Sequence, residues 1–164
     1  MNDSSICHVN LAGGFRGGER QTFLLMKELA SRGHEQRLIT KANSALAANA
    51  KLIEGLEVIE SSLNGFDCRT YFKDAPLLHF HESRVFAAIW SFGIAAEKKH
   101  IITRRVERPP RSNFISKSIY SNANQTVTLS RAISKSIQKS FNLNLDPIVI
   151  PSAKTGFTAD QVEV

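Results

Sequence analysis

The sequence predicts an α/β fold: Rossmann-like, a mostly parallel sheet with helices on both faces. Three observations carry that expectation. Short β-type runs recur along the chain at intervals of about 20 to 30 residues, the length of one strand-plus-helix unit. Segments with helical spacing of apolar residues lie between them. The first β-type run opens into a glycine-rich turn and then a helical pattern, "ICHVNLAGGFRGGERQTFLLMKELASRGH".

Taken in order, "ICHVN" (6–10) is the first strand, and it delivers Gly13, Gly14, Gly17 and Gly18. In "RQTFLLMKELASRGH", Phe23, Met26, Leu29 and Ala30 share a helical face, and Gly33 suits the residue just past a helix end. "QRLIT" (36–40) is the second strand, and "SALAANAKLIEG" a helix that also ends in glycine. "LEVIE" (56–60) and "LLHFH" (77–81) follow as strands, with "SRVFAAIWSFGIAAEKK" as the next helix. "HIITR" (100–104), "QTVTL" (125–129) and "PIVIP" (147–151) complete the strands, and "SRAISKSIQKSF" is a further helix. In "RPPRSNFISKSIYSNAN", Pro109-Pro110 forbids regular helix, so this stretch reads as a long, basic, partly irregular loop. Residues 1–151 form the domain. The polar tail, 152–164, reads as an interdomain linker or the start of a further domain.

At 164 residues and 42% hydrophobic content, one domain with a real core is expected. The net charge of +6 points to an acidic partner: nucleic acid, anionic lipid or a phosphorylated sugar. From Lys98 to Lys139 there are ten Lys or Arg residues against one acid, Glu107, with Phe114, Ile115, Ile119 and Tyr120 interleaved. That mixture suits the surface of an anionic membrane. Cys7 and Cys68 form no metal-ligand spacing and read as idle thiols in a reducing compartment. Neither a signal-peptide pattern nor an apolar run of membrane-spanning length is present, so the expected location is cytoplasmic, with peripheral contact at the inner face of the membrane.

Ligands of open α/β sheets bind beyond the carboxyl ends of the strands. That rule gathers the glycine loop, His81 with Glu82, Arg104 with Arg105 and Glu107, and Ser130 with Arg131 on one edge. The glycine loop is neither GxGxxG nor a P-loop, since Glu19 stands where a lysine would be needed. It is a turn whose backbone can approach a ligand closely. In "LLHFHE", His79 and His81 share a face. His79 should be internal to the sheet, and His81 at the strand end could orient a hydroxyl or act as acid or base. With two histidines and no third distant ligand evident, no metal site is expected. Arg104 and Arg105 suit a phosphate or carboxylate.

In this order, "GGFRGGERQTFLLMKELASRGHE", "LLHFHES", "IITRRVE", "TVTLSRAISKSI" and "IVIPSA" resemble the N-terminal, acceptor-side domain of family 4 glycosyltransferases, one half of a GT-B fold. The resemblance implies transfer of a sugar from a nucleotide-sugar donor to a glycan or glycolipid acceptor, with retention of configuration and no metal or other cofactor. It assigns catalysis to His81, in contact with the transferred sugar. It assigns donor or acceptor binding to Gly17, Gly18, Arg104 and Arg105, and the strand-end rule adds Glu82, Ser130 and Arg131 to that binding set. "TRRVE" is similar to enzymes of bacterial lipopolysaccharide or surface polysaccharide synthesis. "IPSA" departs from the family's Asn-Gly crossover. The family's E-x7-E carboxylates belong to a C-terminal domain, so this chain alone is expected to be inactive. Two other readings stay open: a stand-alone Rossmann-like domain binding a nucleotide or cofactor, and a nucleic-acid binder using the basic region, which lacks an RNP-like or helix-turn-helix signature.

Overall fold

The computed structural model describes residues 5–62, 70–143 and 145–152. Cys68 and nearly all of the tail lie outside them. The strands are β1 (Ile6–Asn10), β2 (Gln36–Thr40), β3 (Leu56–Glu60), β4 (Leu77–Phe80), β5 (His100–Arg104), β6 (Gln125–Thr128) and β7 (Ile148–Val149). They form one sheet in the order β3-β2-β1-β4-β5-β6-β7, and every neighbouring pair is parallel. The helices are α1 (Gly17–Ser31), α2 (Ala45–Ala50), α3 (Phe86–Ser91), α4 (Ile94–Glu97), α5 (Phe114–Asn122) and α6 (Arg131–Phe141).

Alternation along the strands sorts the core into two layers. Cys7 and Val9 of β1, Ile39 of β2, and Leu78 and Phe80 of β4 face one side. There they meet Phe86 and Ile89 of α3, Ile119 and Tyr120 of α5, and Ile133, Ile137 and Phe141 of α6. Leu38 of β2 faces the other side, against Met26 of α1 and Leu46 and Ala50 of α2. Burial of each such large side chain contributes about 1.5–3 kcal/mol, which holds both helical layers on the sheet. The pattern is doubly wound, and β1, flanked by β2 and β4, lies at the point where the winding reverses.

Two expectations are corrected. The basic stretch after the prolines is not irregular: Asn113 accepts a hydrogen bond from the Ser116 amide at 2.8 Å and starts α5 at Phe114. Proline blocks a helix that would run through it, but a cap three residues later nucleates a new one. The single helix expected after β4 is broken into α3 and α4 at Gly93, whose φ of +70° leaves the helical region. Ile119 and Tyr120 of the basic segment are buried in the core and cannot meet a membrane, whereas Phe114 is 72% exposed.

Candidate functional site

A cavity of about 810 Å³ opens beyond the carboxyl ends of β1, β4 and β5, at the reversal point of the sheet. Gly13, Gly14 and Gly18 form one wall, His81 and Glu82 the floor, and Arg104 and Arg105 the opposite wall. Gly17, Ser130 and Arg131 are not among its lining residues. The Ser130 hydroxyl caps α6, accepting from the Ile133 amide at 3.3 Å, and Arg131 is exposed on the first turn of that helix.

The glycine loop is held by Asn10, the last residue of β1. Its side chain donates to the Thr22 hydroxyl at 3.1 Å and accepts from the Ala12 amide at 3.1 Å. Thr22 in turn donates to the Gly18 carbonyl. At the start of α1, the Glu19 carboxylate accepts from the Arg16 amide at 2.7 Å. None of the loop glycines takes a left-handed φ, and a Cβ at Gly17 would meet nothing within 4 Å. Turn geometry therefore does not require them. At the cavity wall, a Cβ on Gly13 would approach the Lys41 ammonium at 3.4 Å and one on Gly18 the Arg105 side chain at 3.9 Å, so these glycines leave room for the flanking cations.

Beneath the cavity runs a buried polar chain that begins at Arg105. The parallel pairing sets His8 of β1 beside His79 of β4, with His81 one pleat further along. Arg105 Nη2 donates to His81 Nδ1 at 3.1 Å. His81 Nε2 lies 3.0 Å from His8 Nδ1, and His8 Nε2 lies 3.1 Å from Gln36 Oε1. The Gln36 amide nitrogen donates to the Met26 carbonyl at 3.0 Å, so its oxygen is free only to accept. Every proton is thereby assigned: His8 carries its hydrogen on Nε2, and His81 carries its hydrogen on Nε2 as well. Neither ring can take a second proton without setting two donors face to face. His79 stands aside, with Nε2 2.7 Å from the Thr103 hydroxyl.

Burial is the first cause of the low basicity of these rings. His8 is pushed down to about 4; its bond to Gln36 opposes the shift and Arg105 adds to it. His79 and His81 are held well below the usual imidazole range first by burial; His8 and then Arg105 add to the shift of His79, and His79, Arg105 and His8 to that of His81. Arg105 is itself lowered to about 10 by burial, against the attraction of Glu19. Glu82 is raised by burial, although the Arg84 and Leu11 amides both donate to it.

With both ring nitrogens engaged inside the protein, His81 acts here as the acceptor that orients Arg105. Among the described residues no carboxylate pairs with Arg104 or Arg105, and the Nε–H of each is buried without a partner. The site thus presents fixed guanidinium donors to the cavity, an arrangement suited to an anion. A third potential metal ligand, not evident in the sequence, is His8: His8, His79 and His81 place ring nitrogens within 4.8 Å of one another. Their composition suits a transition-metal ion, although the bonds to Gln36, Arg105 and Thr103 already engage the rings. Neither His8 nor Asn10 stood out in the sequence. The available signal was parity, since both sit on the face of β1 that the parallel pairing sets beside His79.

No protein-family model matches the sequence, and no curated protein matches it significantly. Solved structures do match in fold. Anabaena HepE in complex with UDP-glucose superposes with a TM-score of 0.71 at 10% identity, over 92% of this chain and 44% of that one. A glycosyltransferase from Rickettsia africae gives 0.65 at 21% identity, over 91% and 42%. Acinetobacter baumannii MurG gives 0.62 at 9% identity, over 90% and 45%. The chain therefore spans less than half the length of each of these proteins. An all-parallel, doubly wound sheet of seven strands that superposes on this share of each of them has the fold of one GT-B half.

Proposed function

We propose that this chain is the acceptor-side half of a glycosyltransferase that moves a sugar from a nucleotide-sugar to a glycan or lipid-linked acceptor, with retention of configuration. The setting that fits best is synthesis of bacterial lipopolysaccharide or another surface polysaccharide. One observation carries the reading: the cavity at the sheet's reversal point, where the glycine loop faces the Arg105–His81 pair and a guanidinium has no carboxylate partner. The fold neighbours support it, since HepE was crystallised with UDP-glucose.

In this reading the glycine loop leaves room for a donor phosphate or an acceptor hydroxyl. Arg105, aimed by His81, stabilises the negative charge that grows on the leaving phosphate. Glu82, its carboxyl raised above the usual range by burial, stands beside the acceptor. A second domain supplies most donor contacts and closes the cleft. The purified chain is expected to unfold cooperatively yet to transfer no sugar from UDP-glucose, and to bind UDP only weakly. Sugar transfer by this chain alone would remove the half-enzyme reading. Tight UDP binding in calorimetry would favour the stand-alone nucleotide-binding alternative.

Peripheral membrane contact belongs to the same proposal. Among the described residues, no helix is long and apolar enough to cross a membrane. Trp90 and Phe114 form an exposed edge-to-face pair with ring centroids 5.8 Å apart, and Val106 is 58% exposed. Shallow insertion of such rings beside basic residues suits an anionic surface. Co-sedimentation with anionic vesicles at low salt is expected, with loss on Trp90→Ser/Phe114→Ser. Equal binding to neutral vesicles would contradict it.

A further inference from the structure

A second chamber of about 660 Å³ adjoins the first, and Arg84 and Arg104 line both. Arg108 and Arg111 complete its cationic wall, and no acidic residue lines it. Four guanidinium groups around one concave space repel one another unless an anion lies between them. Arg84 has Glu82 at 3.7 Å, but no ion pair among the described residues involves Arg104, Arg108 or Arg111.

The chamber is built rather than a solvated stretch of loop. Pro110 is buried and plants the loop between the exposed Arg108 and Arg111. Ser136 of α6 donates to the Glu107 carbonyl at 3.2 Å, and Ser112 donates to the Ser140 carbonyl at 3.0 Å. The Arg104 guanidinium donates to the Arg108 carbonyl, and Asn113 caps α5 just beyond. The backbone that carries Arg108 and Arg111 is therefore fixed before any ligand arrives, and Arg104 is tied to it, which lowers the ordering cost of binding. The Arg104 Nε–H, buried and without an acceptor, is a donor that a ligand could satisfy.

We infer that this chamber binds a phosphate ester carried by the acceptor, next to the cavity where transfer takes place. The inference rests on the proposed function for the word acceptor and on the chamber alone for the phosphate. A carboxylate brings one charge and two acceptor oxygens, enough for one guanidinium fork. A phosphate monoester brings nearly two charges and three oxygens, which matches several forks at once. The donor's diphosphate belongs in the first cavity, so the two anions occupy separate chambers that share a wall.

The test is calorimetry on the full chain at low salt with glucose 6-phosphate, with glucose and UDP as comparison ligands. Glucose 6-phosphate is expected to bind and glucose not. Arg108→Ala/Arg111→Ala should weaken the sugar phosphate by about tenfold or more while leaving UDP unchanged. Lys117→Ala/Lys135→Ala removes the same charge from exposed positions that do not line the chamber, and should leave binding intact. Circular dichroism checks that both variants fold, and since all four side chains are exposed, they should. Equal loss in both variants, or loss in neither, overturns the proposal. So does arginine-dependent binding of phosphatidylglycerol vesicles without binding of glucose 6-phosphate, which would make the ligand a lipid headgroup. Sugar-phosphate binding without transferase activity in any two-domain form would leave the chamber standing and remove the glycosyltransferase reading. Transfer without sugar-phosphate binding would do the reverse.

Discussion

In the two-domain glycosyltransferase proposed above, His81→Ala is expected to lower turnover on the order of 10²-fold, and in this chain to lower stability. Both effects follow from the same bonds. Without the imidazole, Arg105 Nη2 loses its acceptor and His8 Nδ1 loses its donor. Each buried group left unsatisfied costs about 1–3 kcal/mol, so the melting temperature should fall with the rate. His79→Ala should cost stability through the Thr103 bond while leaving Arg105 in place, and hence leave kcat largely intact. His8→Asn offers the comparison that separates positioning from packing. Its side-chain oxygen can accept from His81 Nε2, so it should retain more activity than His8→Ala. Steady-state kinetics and thermal melts on the four variants decide the matter. Full activity in His81→Ala would show that Arg105 needs no such support.

The folded chain is expected to lose stability steeply on acidification between about pH 6.5 and pH 4. The folded-state value of His8, about 4, lies below the ordinary value of 6.5. In that window the unfolded chain binds a proton that the folded chain refuses, so stability rises with pH across it and is lost as pH falls. A shift of this size amounts to roughly 3 kcal/mol from His8 alone once the pH is below both values. His79 and His81, lowered for the same reason, add in the same direction. Urea titrations at several pH values measure the slope. His8→Asn, which has nothing to titrate there, should flatten it. An unchanged slope would mean that His8 is already accessible to protons in the folded chain.

The strands were legible because periodicity is a local property. Seven β-type runs separated by helical segments fit a wound parallel sheet, because parallel neighbours must be joined by a long crossover, usually a helix. The site was legible to the extent that topology alone places strand ends together. Gly18, His81, Glu82, Arg104 and Arg105 meet for that reason. Ser130 and Arg131 also stand at a strand end, yet β6 is one strand further from the reversal point, and the serine is used up as a helix cap. The α5 helix was missed because a proline pair was read as a barrier extending past its own reach, when Asn113 restarts the helix directly afterwards.

What the sequence by itself determined is the order of strands and helices, the buried faces and the edge on which chemistry can occur. These follow from apolar spacing, which each segment carries within itself. Only the tertiary structure decided the state of the histidines and the shape of the basic region. His8 precedes His81 by 73 residues, and nothing local announces that a nitrogen of each ring will lie 3.0 Å from the other. Their protonation follows from partners drawn from β1, β2 and the segments after β4 and β5, brought together only when the sheet closes. The arginines of residues 104–111 read as a charge run in one dimension. They become a chamber because Pro110, Ser112 and Ser136 fasten that run to the scaffold, and such fastening depends on contacts between distant segments rather than on composition.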